Sequence, residues 1–590
     1  MRTPLRAAFR LVLTGCLGLA AFSALVSTGR AADPEKAMPD STLFFLKVKN
    51  VAELRESFKQ TGFGQLLADP AMKPLKEDSA VRIEQSSKEL KAKLGVSISE
   101  LLSLPQGVVT IGVVSCKTDP KLPVAFLVSA DAGSNAAKMT DVMNKTTDQA
   151  KQADAKVGTE SFKGLTLHII QKPADGDKPN PPLIWTNVGT VFHMATDLGA
   201  LKDVITHADG RNDSLATVDA YIKTKAKLGD APVLWFLDIN KAIKLAVRTF
   251  QPGQAGLNLE GILQTTGING LKAAGGTFSF NSGAYDSVSK LYFLAPAPSL
   301  GILKMFSMPP TTLRPEPWVP ASAASYYTLS WDLDGAYNAL NDLIDQQIQP
   351  GMLQALQAQW VGPNGGEPLD LQKDVFGPLG NRVTVISDFK KPVNEDSQRF
   401  LFGIAVTDVK KFQASLNKII NITGGAPDKR DFQGTTIYDF KLDGLPGAGG
   451  GGDKNPLKDS TVSLAIAKDT LFFASEPALL ESVLRGGGNS LVDFPEYLEV
   501  AKHFPAKSSS INYARSDEDA KASYESIKSG EFEKQFKDNP KLPDISKLFD
   551  KARLPEFSVF AKYLAPGGGW GLMEDDGVTF TNFILKKGNP

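Results

Sequence analysis

The feature that most constrains this chain is a unit that recurs. An apolar strand, a polar residue able to cap a helix and an amphipathic helix follow one another four times between residues 43 and 248. The same series returns four times between 325 and 528, in the same order. The first unit runs through residues 43–48, Asn50 and a helix presenting Val51, Leu54 and Phe58. Its partner runs through 325–331, Asp334 and a helix with Ala336, Tyr337 and Leu340. Asn and Asp accept hydrogen bonds from the free amides of a first helical turn, and the spacing of the apolar residues gives the buried stripe.

The second unit, strand 124–128 with Met139 and Met143, answers strand 400–406 with Thr407 or Asp408 as cap and Phe412 and Leu416 inside. The third pairs 190–197, Leu201 and Val204 with 470–476, Leu479 and Val483; within it, Phe473 stands opposite His193 and Tyr438 opposite His168. The fourth pairs 233–237, capped by Asn240, with 510–513, capped by Ser516 and carrying Asp517, Glu518 and Asp519 in the first turn. Each series ends in a hairpin, turning at Asn281-Ser282-Gly283 or at Asp575-Asp576-Gly577, and tight hairpins favour such glycines.

The expected fold is therefore α+β, with two tandem, internally duplicated halves. Each is a largely antiparallel sheet with helices packed on one face. The halves span 38–300 and 320–590, and the prolines of 301–319 stiffen the joint. Two insertions, 172–182 and the Gly-rich 444–455, occupy the same place in their halves and read as surface loops.

The N-terminus adds an address. Arg2, Arg6 and Arg10 precede an apolar run from Leu11 to Val26, and small residues follow, so residues 1–31 read as a signal peptide cut between Ala31 and Ala32. The run is shorter than the ~20 residues that span a bilayer. Cys16 lies inside the apolar run, which disfavours lipidation there. Export to the periplasm or the extracellular space is the expectation, with no transmembrane segment after cleavage. Of 65 basic residues four lie in the first 31, and none of the 65 acids does, so the remainder is mildly acidic. Nucleic acid is a poor partner for such a surface. Cys116 alone remains as a thiol, read as a small hydrophobe at a strand end.

No catalytic constellation emerges. Pro456 interrupts a phosphate-loop reading of the glycines at 447–452. Of His168, His193, His207 and His503, the first two flank an insertion on strands and could meet across a ladder, which makes them weak zinc candidates that would need further ligands. Asp332, Asp334 and Asp517–Asp519 read as helix-start acids. Ser287-x-x-Lys290 lies on a hairpin strand. No catalytic residue, metal or cofactor is assigned.

Residues 38–42, 62–70 and 369–380 carry a resemblance. Met38-Pro39-Asp40-Ser41-Thr42, Gly62-Phe63-Gly64-Gln65-Leu66-Leu67-Ala68-Asp69-Pro70 and Leu369-Asp370-Leu371-Gln372-Lys373-Asp374-Val375-Phe376-Gly377-Pro378-Leu379-Gly380 resemble an exported bacterial family of unknown function, numbered 3352. The resemblance implies export and brings no catalytic residue. Three functions stay open: a non-enzymatic envelope binding or assembly module, a carrier of an apolar ligand such as lipid, and a hydrolase with an unrecognised site. An apolar cavity would favour the carrier, a Ser–His contact in a cleft the hydrolase, and a closed core with a broad apolar patch the assembly module.

Overall fold

The structure is a computed structural model. The residues described are 33–86, 88, 97–116, 122–173, 180–208, 210–249, 266–299, 301–347, 349–361, 365, 367–391, 397–423, 427–441, 461–530 and 550–587. The leader 1–31 with its cleavage site at Ala31 and Ala32, the Gly-rich run and residues 174–179 of the first insertion lie outside them.

The described residues are 40% helix and 33% strand, and their 20 strands form one antiparallel sheet. The first ten strands are β1 Thr42–Val48, β2 Val109–Ser115, β3 Val124–Asp131, β4 Lys156–Phe162, β5 Leu165–Gln171, β6 Leu183–Val188, β7 Val191–Ala195, β8 Val233–Asp238, β9 Ala273–Ser282 and β10 Tyr285–Leu294. The next ten are β11 Ser325–Ser330, β12 Leu379–Phe389, β13 Gln398–Val406, β14 Asp428–Phe432, β15 Thr435–Lys441, β16 Thr461–Ala467, β17 Thr470–Ala474, β18 Ser510–Ala514, β19 Gly567–Glu574 and β20 Gly577–Leu585.

Their spatial order is β4-β5-β6-β7-β3-β2-β1-β8-β9-β10, and then β20-β19-β18-β11-β12-β13-β17-β16-β15-β14. Read from its outer edge inward, each series of ten has the same order. The expectation of a sheet for each half gives way to one continuous sheet, because β10 and β20 pair from Tyr285↔Leu585 to Leu294↔Gly577. The outermost strands, β4 and β14, carry Lys156 and Glu160, or Asp428, Lys429, Arg430 and Asp431, and charged side chains discourage further pairing at an edge.

Among the helices of the described residues, ten are named here: α1 Val51–Lys59, α2 Ala136–Gln152, α3 Leu198–Thr206, α4 Asp219–Leu228, α5 Ile239–Thr249, α6 Leu333–Gln347, α7 Val409–Thr423, α8 Pro477–Arg485, α9 Pro495–Ala501 and α10 Ser516–Ser529. Asn50, Asp197 and Asp408 accept from the backbone N–H three residues on, as cap residues should. Elsewhere the caps differ from expectation. Asp238 caps α5 in place of Asn240, and Asp332 caps α6 in place of Asp334. At α5 the helix begins directly after β8, so the strand's last residue is the cap; at α6 two residues separate strand and helix, and the second of them, Asp332, is the cap. At α10 the residue before the helix is Arg515 and makes no side-chain cap, so Ser516 is the first helical residue.

Helices cover both faces of the sheet, not one. On what we call the inner face, α3, α4, α8 and α9 close two cores. One holds Phe45, Leu127, Phe236 and Tyr292, the other Tyr326, Leu401, Phe472 and Tyr513. On the outer face α2 packs Met139, Val142 and Met143 on Trp185 and Phe192, and α7 packs Phe412, Leu416 and Ile420 on Tyr438 and Leu471. The reason is compositional. Segments such as Val233-Leu234-Trp235-Phe236-Leu237 are apolar on both sides, the pattern of strands meant to be covered twice. Cys116 is half-buried just beyond β2, against the rim of the first core.

Candidate functional site

The inner face carries the same arrangement in each half. The stretch Pro34-Glu35-x-x-Met38-Pro39 leads into β1, and Pro315-Glu316-x-x-Val319-Pro320 leads into β11. Met38 and Val319 each accept a backbone bond, from Leu215 and Leu491 respectively. Behind them stand two aromatic triads. Tyr221 meets Phe45 and Phe236 edge-on at 6.1 and 5.2 Å, and Tyr497 meets Tyr326 and Tyr513 edge-on at 6.5 and 5.6 Å. Each triad closes on a glycine. A Cβ on Gly275 would sit 2.5 Å from Thr224 of α4, and one on Gly568 2.4 Å from Val500 of α9. Sequence reading missed both motifs. The signal was there in the repeated Pro-Glu-x-x-x-Pro and in Ser-Leu followed six residues later by Tyr, at 214–221 and 490–497.

The two glutamates differ in setting. Glu35 is 2% exposed and receives Lys225 at 2.5 Å and Lys47 at 2.9 Å. Burial pushes its carboxyl up, but the two lysines outweigh this and hold it at about 2. Glu316 instead takes Arg382 at 2.8 Å and the Thr384 hydroxyl at 2.6 Å. These clusters anchor the lead-in segment to the sheet.

His168 and His193 do not meet. β6 lies between their strands, and register sets them on opposite faces: His168 pairs with Trp185, and His193 with the next residue, Thr186. His168 stacks on Trp185 at 4.0 Å on the outer face, and burial lowers its pKa. His193 is on the inner face, with Nδ1 2.8 Å from the Ser129 hydroxyl and its pKa lowered by burial to about 4. Among the described residues no group of three or more His, Cys, Asp or Glu could hold a metal. The residue in the place of His193 in the second half is Phe472 rather than Phe473, since β17 starts at Thr470 as β7 starts at Val191. Tyr438 does stand where His168 does.

The Ser129–His193 contact is the nearest approach to nucleophilic chemistry. A serine nucleophile needs free N–H donors for the oxyanion and a partner orienting its histidine. Ser129 lies inside the β2–β3 and β3–β7 ladders, where backbone amides serve pairing, and no salt bridge reaches His193 among the described residues. Ser287 and Lys290 are three apart on β10 and so point to opposite faces, Ser287 beside Ile584 and Lys290 beside Thr581. Asp517 is paired with Arg515 at 3.1 Å, and Glu518 with Lys391 at 3.6 Å. Burial, then Glu518 and Asp517, push Asp519 up to about 7.

The outer face of the central strands is the unusual surface. One row runs Phe126–Val113–Phe44–Leu237–Ala274–Phe293–Val578–Met573 across eight strands. The next runs Val128–Ile111–Leu46–Trp235–Gly276–Leu291–Phe580–Gly571 and continues through Ser510 to Leu329, Val383 and Ile404. Directly paired residues share a face, so these rows are contiguous. Ala274, Gly276, Gly571 and Ser510 are buried, but every large side chain in both rows is at least partly exposed, Phe126 to 51%. The next row of the same face, Val48, Val233 and Phe278, lies under Leu54 and Phe58 of α1, so the two rows are part-exposed apolar strips beside a helix.

No helix of the described residues is long and apolar enough to cross a membrane. No family model, no curated protein and no solved structure matches the chain.

Proposed function

We propose that this is an exported, non-enzymatic binding or assembly module that works through the outer face of its sheet, in the periplasm or outside the cell. We further propose that it is built from two copies of one α+β unit. The equal strand order, the paired lead-in motifs and the paired aromatic triads support the duplication. The basic-apolar-small N-terminus and the resemblance to family 3352 support export.

The observation that carries the functional reading is the pair of apolar rows on a part-exposed face, opposite a closed core. Contiguous exposed apolar surface of this breadth marks interaction sites. The test is a photo-reactive amino acid placed at Phe293, with the same group at exposed Lys223 on α4 as control, in the cell that makes the protein. Crosslinked species above the control are expected from 293. Equal, negligible yields from both sites would contradict the reading.

A further inference from the structure

We infer that the first half holds a binding niche at the rim of its inner core. It is built for a small, neutral, planar ring with a hydrogen-bonding edge, in the place that the Trp318 indole fills in the second half. The niche lies on the face opposite the apolar rows and does not depend on how those are read.

The niche is the difference between two corresponding rows. Register sets Phe472, Gly403, Thr384 and Thr328 side by side on the inner face of the second half. The corresponding row of the first half is His193, Ser129, Thr110 and Lys47. In the second half the Trp318 indole lies over Gly403 and edge-on to Phe472, and it seals that ring to 0% exposure. In the first half Ala37 stands in its place, and Ala37, Ser129 and His193 are all part-exposed. The methionine that follows does not make up the missing bulk. Met38 is longer than Val319, but its sulfur lies over Gly112 in the next row, 3.1 Å from where a Cβ would be. The second half has Ile386 at that place.

The floor of the niche says what fits. Thr384 donates to Glu316 and meets the Thr328 hydroxyl. Thr110 has neither partner. It is 1% exposed, its hydroxyl is buried with no hydrogen bond, and the corresponding glutamate, Glu35, is turned to Lys47 and Lys225. Native chains keep few such groups, because an unpaired buried hydroxyl is costly. Beside it, across the β2–β3 ladder, Ser129 Oγ lies 2.8 Å from His193 Nδ1, and His193 Nε2 has no partner among the described residues. Burial keeps the imidazole neutral near neutral pH, and the charge of Lys47 is matched by Glu35 at 2.9 Å. The row thus offers hydroxyls and an imidazole that donate or accept, with no unmatched charge. A neutral donor–acceptor edge satisfies these groups, and the ring behind it takes the place of the indole.

Benzimidazole has the bicyclic outline of indole with one donor and one acceptor; indene has the outline and neither. The purified protein is titrated with each, slightly above neutral pH, by saturation-transfer NMR. Saturable binding of benzimidazole is expected, at least tenfold tighter than that of indene. Two variants locate it. Ala37→Trp combined with Ser129→Gly and His193→Phe copies the second half and should weaken benzimidazole at least tenfold. Thr110→Val keeps the shape of the side chain and removes the unpartnered hydroxyl. It should weaken benzimidazole at least threefold, yet leave the urea midpoint of the free protein no lower than the parent's, because the free protein loses no hydrogen bond. No saturable binding by the parent, equal binding of indene, or an affinity unmoved in the folded triple variant or in Thr110→Val overturns the niche. Should the triple variant not fold, Thr110→Val decides alone.

Discussion

The two halves place the same elements in the same order, yet they close the start of the inner face with opposite chemistry. In the second half Trp318 lies over Gly403 and meets the Phe472 ring edge-on at 4.9 Å. In the first half the corresponding positions are Ala37, Ser129 and His193. A small residue sits above a polar pair, where an indole sits above glycine and phenylalanine. The glutamate two residues before each follows suit. Lys47 and Lys225 hold Glu35, whereas an arginine and a threonine hold Glu316. The lesson is that the backbone frame tolerates a change of core chemistry when the whole contact set changes together.

That contrast can be broken by substitution. The largest effect is expected at Trp318→Ala, which empties a buried ring site and costs about 3–5 kcal/mol, while Ala37→Gly in the first half costs ~1 kcal/mol or less; urea midpoints measure both. Glu35→Ala comes next. It strips the carboxylate from two lysines at a buried site and should cost about 3 kcal/mol, more than Glu316→Ala, whose side chain is 18% exposed. Similar losses at both glutamates would show that exposure does not distinguish them.

The third expectation is a pH effect confined to the first half. The folded pKa of His193 lies near 4, below its ordinary 6.5, so the unfolded chain binds the proton more readily. Stability is then full above about 6.5 and falls as pH drops toward 4, by up to ~3 kcal/mol. His193→Phe, which copies Phe472, should flatten that part of the urea-midpoint profile. A profile unchanged by the substitution would refute the assignment. The smallest effects are symmetric: Asn50→Ala and Asp332→Ala each remove a helix cap and should each cost about 1 kcal/mol.

Much of this frame is legible in the sequence. Recurrence of strand, cap and helix locates β1, β3, β7 and β8 and their counterparts, and the hairpin glycines locate β9–β10 and β19–β20. What escapes does so for physical reasons. Cap positions slip by two, to Asp238, where the strand runs straight into the helix, and to Asp332, where only two residues join them. The partner of His193 slips by one, from Phe473 to Phe472, and in a strand one residue is the difference between faces. The distance between His168 and His193 depends on β6 coming between them, which no spacing reveals. The outer face was readable in principle. Runs such as 124–128 and 233–237 lack polar alternation, which says that both sides of the sheet need a cover.

The central claim is that one sheet, shared by both halves, has a closed inner face and, between the helices packed on its outer face, apolar rows that stay part-exposed. Hydroxyl-radical footprinting of the chain at a dilution that keeps single copies apart tests it most directly, because it reads side-chain exposure residue by residue. Trp235, Phe293 and Phe580 should be oxidised far faster than Phe45, Phe236 and Tyr513, which are at most 1% exposed. Protection of the first three to the level of the second three, in the single chain, would contradict the account.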